Sequence, residues 1–286
     1  MYNSITMNKL SLERKVRVIK ALVEGNSIRA TCRITDTAKG TVIRLLRDVG
    51  KACAEYQDTN LRNLPCQRVE CDEIWSFCYA KAKNVPQDKQ NQFGYGDVWT
   101  FVALDADTKL VLSWLVGLRE LECAYEFAKD IKKRLSNRVQ LTTDGHRMYY
   151  EAVRNAFGDD IDYAMLVKYY GNTQDEYGRY SPPKCTHAKA KLVNGSPDMT
   201  RASTSYIERQ NLTMRMSMRR FTRLTNAFSK KIENLEYAVA LHFMYYNFAR
   251  PHISLANPCL RTPTMAAGIS NHVWTIEEIV GLLGGD

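Results

Sequence analysis

Between residues 67 and 169 the chain alternates strand-type and helix-type stretches, and this order limits the folds open to it. β-branched and aromatic residues predict strands at 67–79, 97–105 and 109–118, with a hairpin turn at 106–108 between the last two. Helix-type and strand-type stretches then follow each other in turn. Strands that lead into alternating helices and strands predict a mixed sheet covered by helices, which is an α/β domain and not a barrel.

The part of the chain after the hairpin is predicted to contain four helices, two further strands and one long loop. After the hairpin, the patterns predict a helix at 122–135, a strand at 138–143, a helix at 146–157, a strand at 163–169, and helices at 203–221 and 230–248. Residues 171–200 are rich in Gly, Pro, Asn and Lys, which is typical of a long excursion on the surface.

The composition is that of a globular chain with a basic surface. Of 286 residues, 45% are hydrophobic and 25% are charged, which suffices for a sizeable core. The formal net charge of +9 favours a polyanionic partner such as nucleic acid. Apolar runs stay well short of the roughly 20 residues that span a bilayer, and the N-terminus lacks the apolar core of a signal peptide. We therefore expect a cytoplasmic protein with no membrane partner.

The cysteine pattern does not predict a metal-binding finger. The chain has 8 cysteines but no Cys-x-x-Cys pair, and no His-x-x-x-His motif accompanies them. Several cysteines lie within apolar runs, so buried and reduced thiols are a better interpretation than zinc ligands or disulfides.

The first fifty residues predict three short helices. Ser11 can cap a helix over 12–24, and Ser27 begins a second. A third helix starts at residue 37 or 38 and keeps one apolar face through Val49. Two short helices joined by a brief turn are typical of a helix-turn-helix.

The polar face of the third helix suits DNA. In a helix-turn-helix the second helix of the pair enters the major groove, where its polar side chains contact base edges and phosphates. Residues 1–70 carry 13 basic and 7 acidic side chains, an excess of positive charge. We expect DNA contacts from Lys39, Thr41, Arg44 and Arg47. The alternative is an ordinary helical bundle with a solvated basic face.

A break at Asn63-Leu64-Pro65 predicts a domain boundary. The linear division that follows is a small all-α helix-turn-helix region at 1–64 and a larger α/β domain at 65–255. Residues 256–286 then form a C-terminal tail with a short helix.

Three acidic positions lie where predicted core elements meet the surface. Asp72 lies within the first strand, Asp144 closes the strand that begins at 138, and Glu208 lies on the helix at 203–221. In-line attack on a phosphodiester uses two divalent ions about 3.5–4 Å apart, and Mg²⁺ needs only a few carboxylate oxygens because it keeps several waters. Such acids in a basic chain predict a metal-dependent enzyme that acts on nucleic acid.

Two patterns bear on the choice of these acids. Side chains alternate on a strand, so Asp72 and Glu73 are expected on opposite faces, and only one then points into the site. We assign Asp72, which shares a face with Glu70. Taken singly, each acid is best explained as a solvated surface charge. The helix of Glu208 is arginine-rich, however, and Arg215 lies two turns farther on the same face, where it can hold a phosphate.

Three motifs occur in order along the chain. They are Cys71-Asp72-Glu73-Ile74-Trp75-Ser76-Phe77, Thr143-Asp144-Gly145 and Tyr206-Ile207-Glu208-Arg209-Gln210-Asn211-Leu212-Thr213-Met214-Arg215. Together with the N-terminal helices they resemble the insertion-sequence-one family of bacterial transposases, which are DDE-type enzymes. The resemblance covers nearly the whole chain, and the combination is more specific than any one motif.

The resemblance implies a ribonuclease H-like mixed sheet with flanking helices, preceded by a small all-α helix-turn-helix domain. It implies that Asp72, Asp144 and Glu208 form the catalytic, metal-binding triad for two Mg²⁺ or Mn²⁺ ions. It also implies cleavage at element ends that frees a 3′-hydroxyl, which attacks target DNA without a protein nucleophile. The basic positions on the Glu208 helix that are expected to contact DNA are Arg209, Arg215, Arg219 and Arg220.

The expected partner is double-stranded DNA, both as element ends and as target, bound by a homo-oligomer when two ends are paired. The expected location is the bacterial cytoplasm, in association with the nucleoid. The chain departs from some relatives because no cysteine zinc finger precedes the helix-turn-helix. Two alternatives stay open, a ribonuclease H-like nuclease without strand transfer and a catalytically inactive DNA-binding repressor. All three predict DNA affinity that falls with salt.

Overall fold

The computed structural model describes residues 10–171, 185–222 and 225–284. The helices are α1 Leu12–Val23, α2 Ile28–Thr35, α3 Lys39–Asn60, α4 Leu121–Arg134, α5 Arg147–Phe157, α6 Ser205–Ser217, α7 Ile232–Met244, α8 Pro263–Ala266 and α9 Ile276–Gly281. The strands are β1 Arg68–Cys78, β2 Gly96–Asp105, β3 Val111–Gly117, β4 Gln140–Asp144, β5 Asp162–Tyr170 and β6 Cys185–Asn194.

The chain folds into two compact units, each assembled from segments that are distant in sequence. The first unit comprises Met1–Asn60, Ser76–Asp97 and Thr213–Asp286, and the second comprises Leu61–Trp75 and Val98–Leu212. The linear division predicted from the sequence does not describe this grouping and stays a prediction.

The six strands form one mixed sheet in the order β3-β2-β1-β4-β5-β6. β1, β4 and β5 run parallel, β2 and β3 form the predicted antiparallel hairpin, and β6 is antiparallel to β5. The predicted α/β class, a mixed sheet flanked by helices, is confirmed. The parallel pairing of β1 with β4 runs as far as Cys71 and Thr143. The next residues, Asp72 and Asp144, therefore lie side by side where this pairing ends.

The strand β6 lies within the segment that the sequence predicts as a loop. Its side chains are mostly exposed along the whole strand, so it lacks the apolar alternation that identifies a half-buried strand. Pairing with the open edge of β5 provides partners for its backbone groups. Residues 172–184 of the predicted excursion lie outside the described residues.

Aromatic side chains fill the space between the sheet and the helices α4 and α5. Phe101 of β2 lies 5.6 Å from Phe127 of α4 and 6.4 Å from Tyr149 of α5, measured between ring centroids. All three rings are almost completely buried, and buried aromatic side chains contribute much of the apolar area of a core. This packing holds α5 in a fixed position on the sheet, with the hydroxyl of Tyr149 directed at β1.

The three predicted N-terminal helices are present, and α3 packs on α7. Ser11 and Ser27 each accept a hydrogen bond from a backbone N–H in the first turn of α1 and α2, as predicted. The contact of α3 with α7 is closest at Gly50, where an added Cβ would lie 2.5 Å from atoms of Tyr237. Only glycine allows the two backbones to approach so closely.

The cysteines of the described residues are all unpaired, and Cys53, Cys66, Cys71 and Cys78 are buried. This agrees with the interpretation of the cysteines as free thiols. Within the same ranges no helix combines the length and the apolar character needed to cross a membrane.

Candidate functional site

Three carboxylates meet in the second unit, where the pairing of β1 with β4 ends. Asp72, Glu73 and Asp144 each offer a carboxylate oxygen, and these oxygens lie within 4.8 Å of one another. Asp72 follows the last paired residue of β1, and Asp144 follows the last paired residue of β4 on the same side. β1 continues beyond this point to Cys78, but its parallel pairing with β4 ends here, so the topology brings together two acids that are far apart in sequence.

Glu73 belongs to this group, although strand alternation predicts that it points away. Its carboxylate oxygen nevertheless lies within 4.8 Å of those of Asp72 and Asp144, because alternation sets the direction of a side chain but not how far its end reaches. The choice of Asp72 as the metal-binding acid stays a prediction. Arg119 Nε donates to Glu73 Oε1 over 2.6 Å, and the hydroxyl of Tyr149 donates to Oε2 over 3.0 Å. These two donors hold the buried carboxylate beside Asp144, and Arg119 in turn lies 4.5 Å from the ring centroid of Trp99.

The electrostatics of the group show an excess of negative charge. Burial and, to a smaller extent, the neighbouring charges of Glu73 and Asp144 together raise the pKa of Asp72 to about 7. Burial and the charge of Asp144 also raise the pKa of Glu73, although Arg119 and Tyr149 oppose this. Asp72 thus binds its proton more tightly than an ordinary aspartate, as expected for a carboxylate that lacks a sufficient cation.

A buried glutamate fixes the helix α6 on β1. Glu70 Oε2 accepts hydrogen bonds from the backbone N–H groups of Tyr206 and Ile207, over 2.9 Å and 3.0 Å. These groups belong to the first turn of α6, where N–H groups lack partners within the helix and where a negative charge is favourable. Burial nevertheless raises the pKa of Glu70 to about 6. Glu70 therefore acts as a cap that β1 supplies to α6.

The docked helix brings Asn211 and Glu208 to the acidic group. Asn211 Nδ2 donates to Asp72 Oδ2 over 2.9 Å, and Glu208 lies one turn earlier on the same face of α6. The carboxylate of Glu208 forms an ion pair with Lys168 of β5 and accepts a 2.5 Å hydrogen bond from Thr204 Oγ1. Lys168 also lowers the pKa of Asp72. Glu208 thus lies near Asp72 but is not one of the three acids within 4.8 Å.

The residues present fit a divalent cation. Four carboxylates (Asp72, Glu73, Asp144 and Glu208) lie around two cationic side chains, Lys168 and Arg119. Among the described residues, Asn211 Oδ1 is a buried acceptor without a hydrogen-bond partner, and such an atom normally has one. Carboxylate and amide oxygens are the ligands that Mg²⁺, Mn²⁺ and Ca²⁺ prefer.

A basic groove of about 1540 Å³ lies in the first unit. The helices α2 and α3 form one wall, and residues 217–220 and 225–231 with α7 form the other. Its basic side chains are Arg29, Arg33, Lys39, Arg44, Arg47, Arg219, Arg220, Lys230 and Lys231, whereas Glu233 is its single acidic lining residue among the described residues. A concave surface with this charge attracts a polyanion.

Five of the eight predicted DNA contacts line this groove, namely Lys39, Arg44, Arg47, Arg219 and Arg220. Thr41 is half-buried on α3, Arg209 is exposed on α6, and Arg215 lies in the last turn of α6; none of these three is a lining residue. Sequence reasoning missed Arg29 and Arg33 on α2 and the pair Lys230-Lys231 before α7. The adjacent lysines were a visible signal, but their place opposite α3 depends on the tertiary fold.

Two polar side chains that line the groove, Arg220 and His242, are partly or fully buried. Arg220 Nε donates to Ser229 Oγ over 2.9 Å, and burial lowers the pKa of Arg220 to about 10. His242 is buried, and its Nε2 has no hydrogen-bond partner among the described residues. Burial lowers the pKa of His242 to about 3, so its ring is neutral at pH 7. An incoming anion can accept hydrogen bonds from such groups.

No protein-family model and no curated protein matches the sequence. Among solved structures, the chain is similar to a piggyBac transposase synaptic complex with hairpin DNA, at 11% identity over 99% of this chain and 72% of that chain, with a TM-score of 0.44. A pre-cleavage Mos1 transpososome has 9% identity over 85% of this chain and 80% of that chain, with a TM-score of 0.27. A Mos1 paired-end complex with the left transposon end has 13% identity over 55% and 59%, with a TM-score of 0.21. The backbone paths agree only in part.

Proposed function

We propose that the chain is a DNA transposase of the DDE type, which cleaves and joins DNA phosphodiesters with the help of divalent ions. The observation that carries this proposal is the meeting of Asp72, Glu73 and Asp144 where the parallel pairing of β1 with β4 ends, with oxygens within 4.8 Å of one another. Carboxylates that are partly buried and close together repel one another, and a bound cation would relieve this repulsion. The insertion-sequence-one family remains the specific assignment that the motifs suggest.

Asp72 and Asp144 are the residues proposed to hold the metal, with Glu208 as the third carboxylate. Both oxygens of Glu73 already accept hydrogen bonds from Arg119 and Tyr149, so Glu73 is assigned to positioning. When bound, Mg²⁺ or Mn²⁺ supplies an activated oxygen nucleophile and stabilises the leaving oxygen, and two ions share these tasks most effectively.

The chain's own residues prepare this site. Glu70 and Asn211 attach α6 to β1, which directs Glu208 towards Asp72. Lys168 neutralises Glu208 and lowers the proton affinity of Asp72, so it holds the acids together before a metal binds. Without this cation, mutual repulsion of the carboxylates would favour an open site.

The basic groove is proposed to bind the phosphate backbone of the DNA. Arg44 and Arg47 of α3 are exposed on one wall, and Arg219 with Lys230 lies on the other. Phosphate contacts provide an affinity that falls steeply as the salt concentration rises. Recognition of the DNA sequence at the element ends requires, in addition, contacts from α3 to the bases. Pairing of two ends would be achieved by a homo-oligomer of the chain.

The test uses a labelled duplex that carries the end of the encoding element, incubated with Mg²⁺ or Mn²⁺. We expect nicking at the end and a joined product, both absent in EDTA. Asp72→Asn and Asp144→Asn should abolish both products, since a neutral amide cannot supply the negative charge of the carboxylate that it replaces. Glu151→Gln is the matched control, because Glu151 is an exposed acid on α5 of the same unit and its loss should leave both products intact.

The outcomes separate the three hypotheses. Nicking without joining would favour the nuclease hypothesis over the transposase hypothesis. DNA binding without any cleavage, with the same affinity in Asp72→Asn, would favour the hypothesis of an inactive DNA-binding protein. Cleavage that survives both aspartate variants would show that other carboxylates hold the metal.

A further inference from the structure

A second pocket in the first unit is lined by aromatic side chains. It has a volume of about 520 Å³ and is lined by Phe77, Tyr79, Ala80, Lys81, Asn84, Thr225, Asn226 and Phe228. Phe77 is buried, and the ring of Phe228 lies 4.9 Å from the Phe77 ring between centroids, tilted by 37°. Tyr79 and Phe228 are half-buried, so part of each ring faces solvent.

The backbone around this pocket is firmly held. Tyr79 follows the end of β1, and its backbone N–H donates to Ser229 O over 2.8 Å. Tyr79 has a φ of 67°, a left-handed conformation that is uncommon for a bulky residue. Strained backbone of this kind persists where the surrounding structure imposes it, often at binding sites. The result is that the ring of Tyr79 takes its place on the pocket wall in advance of any ligand.

The aromatic pocket is continuous with the basic groove. Thr225, Asn226 and Phe228 line both. A strand whose phosphates lie along the basic side chains would therefore have a base within reach of the aromatic rings. Cations also flank the pocket itself, since Lys81 lies 5.8 Å from the centroid of Phe77 and Lys89 lies 4.5 Å from that of Tyr79.

The side chains of the pocket match the chemistry of a nucleobase. Aromatic faces stack on bases, and this interaction does not depend on base identity. The exposed amides of Asn84 and Asn226 offer both donors and acceptors to the edge of a base. A base within a duplex presents no free face to such rings, so only an unpaired base can enter.

We propose that this pocket receives one unpaired base of a DNA strand whose phosphate backbone lies in the basic groove. The proposal rests on the proposed function only in naming the nucleic acid as DNA, and it does not require catalysis. Stacking contributes roughly 1–3 kcal/mol per base, so DNA with one unpaired base should bind about 5- to 150-fold more tightly than the fully paired duplex.

The experiment measures binding by fluorescence anisotropy in EDTA, where no cleavage occurs. The ligands are a fully paired duplex and the same duplex with one extrahelical 2-aminopurine. We expect tighter binding of the second ligand and a fall in 2-aminopurine emission as the base stacks on the rings. Phe228→Ala and Tyr79→Ala should each abolish the preference and the quenching. In Tyr79→Ala, whose ring lines the aromatic pocket but not the basic groove, affinity for the paired duplex should stay within about twofold.

Matched variants separate stacking from charge and from misfolding. Tyr79→Phe keeps the ring and should retain the preference. Lys230→Gln should weaken the binding of both ligands equally. It should also reduce the slope of log affinity against log salt concentration by about the contribution of one phosphate contact. Phe93→Ala removes an exposed aromatic residue that lines neither pocket and should change nothing. A thermal melt shows that each variant is folded, and unchanged binding of the paired duplex supports this for the Tyr79 and Phe93 variants.

The proposal is overturned if the wild-type chain binds both duplexes equally, or if the preference survives both alanine substitutions. Equal preference for an unpaired base in RNA would overturn the assignment to DNA. Metal-dependent nicking with no preference would overturn the base pocket and leave the proposed function intact. A preference lost in the alanine variants, together with no cleavage under any metal, would support the pocket and remove the proposed function.

Discussion

Asn211 of α6 donates a hydrogen bond of 2.9 Å to Asp72 of β1, with its own Oδ1 buried and unpartnered among the described residues. Asn211→Ala removes the donor that orients Asp72. Loss of such an outer-shell partner typically weakens metal binding about 10- to 100-fold, and we expect this loss in a titration with Mn²⁺. Leu212→Ala is the control, because Leu212 is the exposed next residue of the same helix. Equal affinity in both variants would contradict the role of Asn211.

Asp72 and Glu73 are neighbours with different expected roles. Asp72→Asn should reduce Mn²⁺ affinity by more than the roughly 10- to 100-fold that an outer-shell partner contributes. Glu73→Gln should lower affinity less, because Glu73 is already bonded to Arg119 and Tyr149. It should lower the melting temperature more, because it breaks a buried ion pair. The reverse order of the two variants in the Mn²⁺ titration would make Glu73 the ligand.

Lys168 provides the positive charge beside Glu208 and Asp72. Lys168→Met should strengthen Mn²⁺ binding severalfold, because an ammonium group no longer competes with the metal for these carboxylates. The metal-free protein should melt at a lower temperature, since the repulsion among the acids is then less compensated. Calorimetric titration and thermal unfolding without metal measure the two effects. Weaker Mn²⁺ binding in this variant would show that Lys168 supports the site in some other way.

The raised pKa of Asp72 predicts a pH dependence with a definite sign. Its pKa is about 7 in the folded protein against an ordinary value of 3.8, so the folded state binds this proton more tightly than the unfolded state. The associated stability is complete below about pH 4 and is lost as the pH rises through about 7. A bound metal ion stabilises the ionised form of Asp72, which predominates at pH 8. Mn²⁺ should therefore raise the melting temperature more at pH 8 than at pH 6.

The raised pKa of Asp72 also predicts that metal binding releases a proton. Binding of Mn²⁺ should release about one proton at pH 6 and almost none at pH 8, because Asp72 is already ionised there. Calorimetry in buffers of different ionisation enthalpy counts these protons. Asp72→Asn should release none at either pH. Unchanged release in that variant would assign the proton to another group.

Two glycines of α3 should respond to the same substitution with opposite sign. Gly40→Ala meets no atom within 4 Å, so the higher helix propensity of alanine should stabilise the protein by up to about 1 kcal/mol. Gly50→Ala places a Cβ 2.5 Å from Tyr237 of α7, and this overlap should destabilise it by about 1–3 kcal/mol or more. Urea unfolding measures both. Stabilisation by both substitutions would mean that α3 and α7 are not in close contact.

Local patterns in the sequence were sufficient to predict much of the fold. The hairpin of β2 and β3, the alternation of α4, β4, α5 and β5, and the first two helix caps follow from residue type and spacing. The strand β6 does not, because its exposed side chains carry no apolar alternation and its partner is the edge of β5.

The sequence by itself determined which residues carry the charge: Asp72, Asp144 and Glu208 at the ends or surfaces of core elements, and arginines and lysines on α3 and after α6. Only the tertiary structure decided which of them meet. The end of the β1–β4 pairing places Glu73 beside Asp144, the cap from Glu70 directs Asn211 to Asp72, and the packing of α3 on α7 sets Arg44 opposite Lys230. Periodicity reports the local environment of each residue, whereas these contacts join residues distant in sequence, and they form only when the sheet and helices pack.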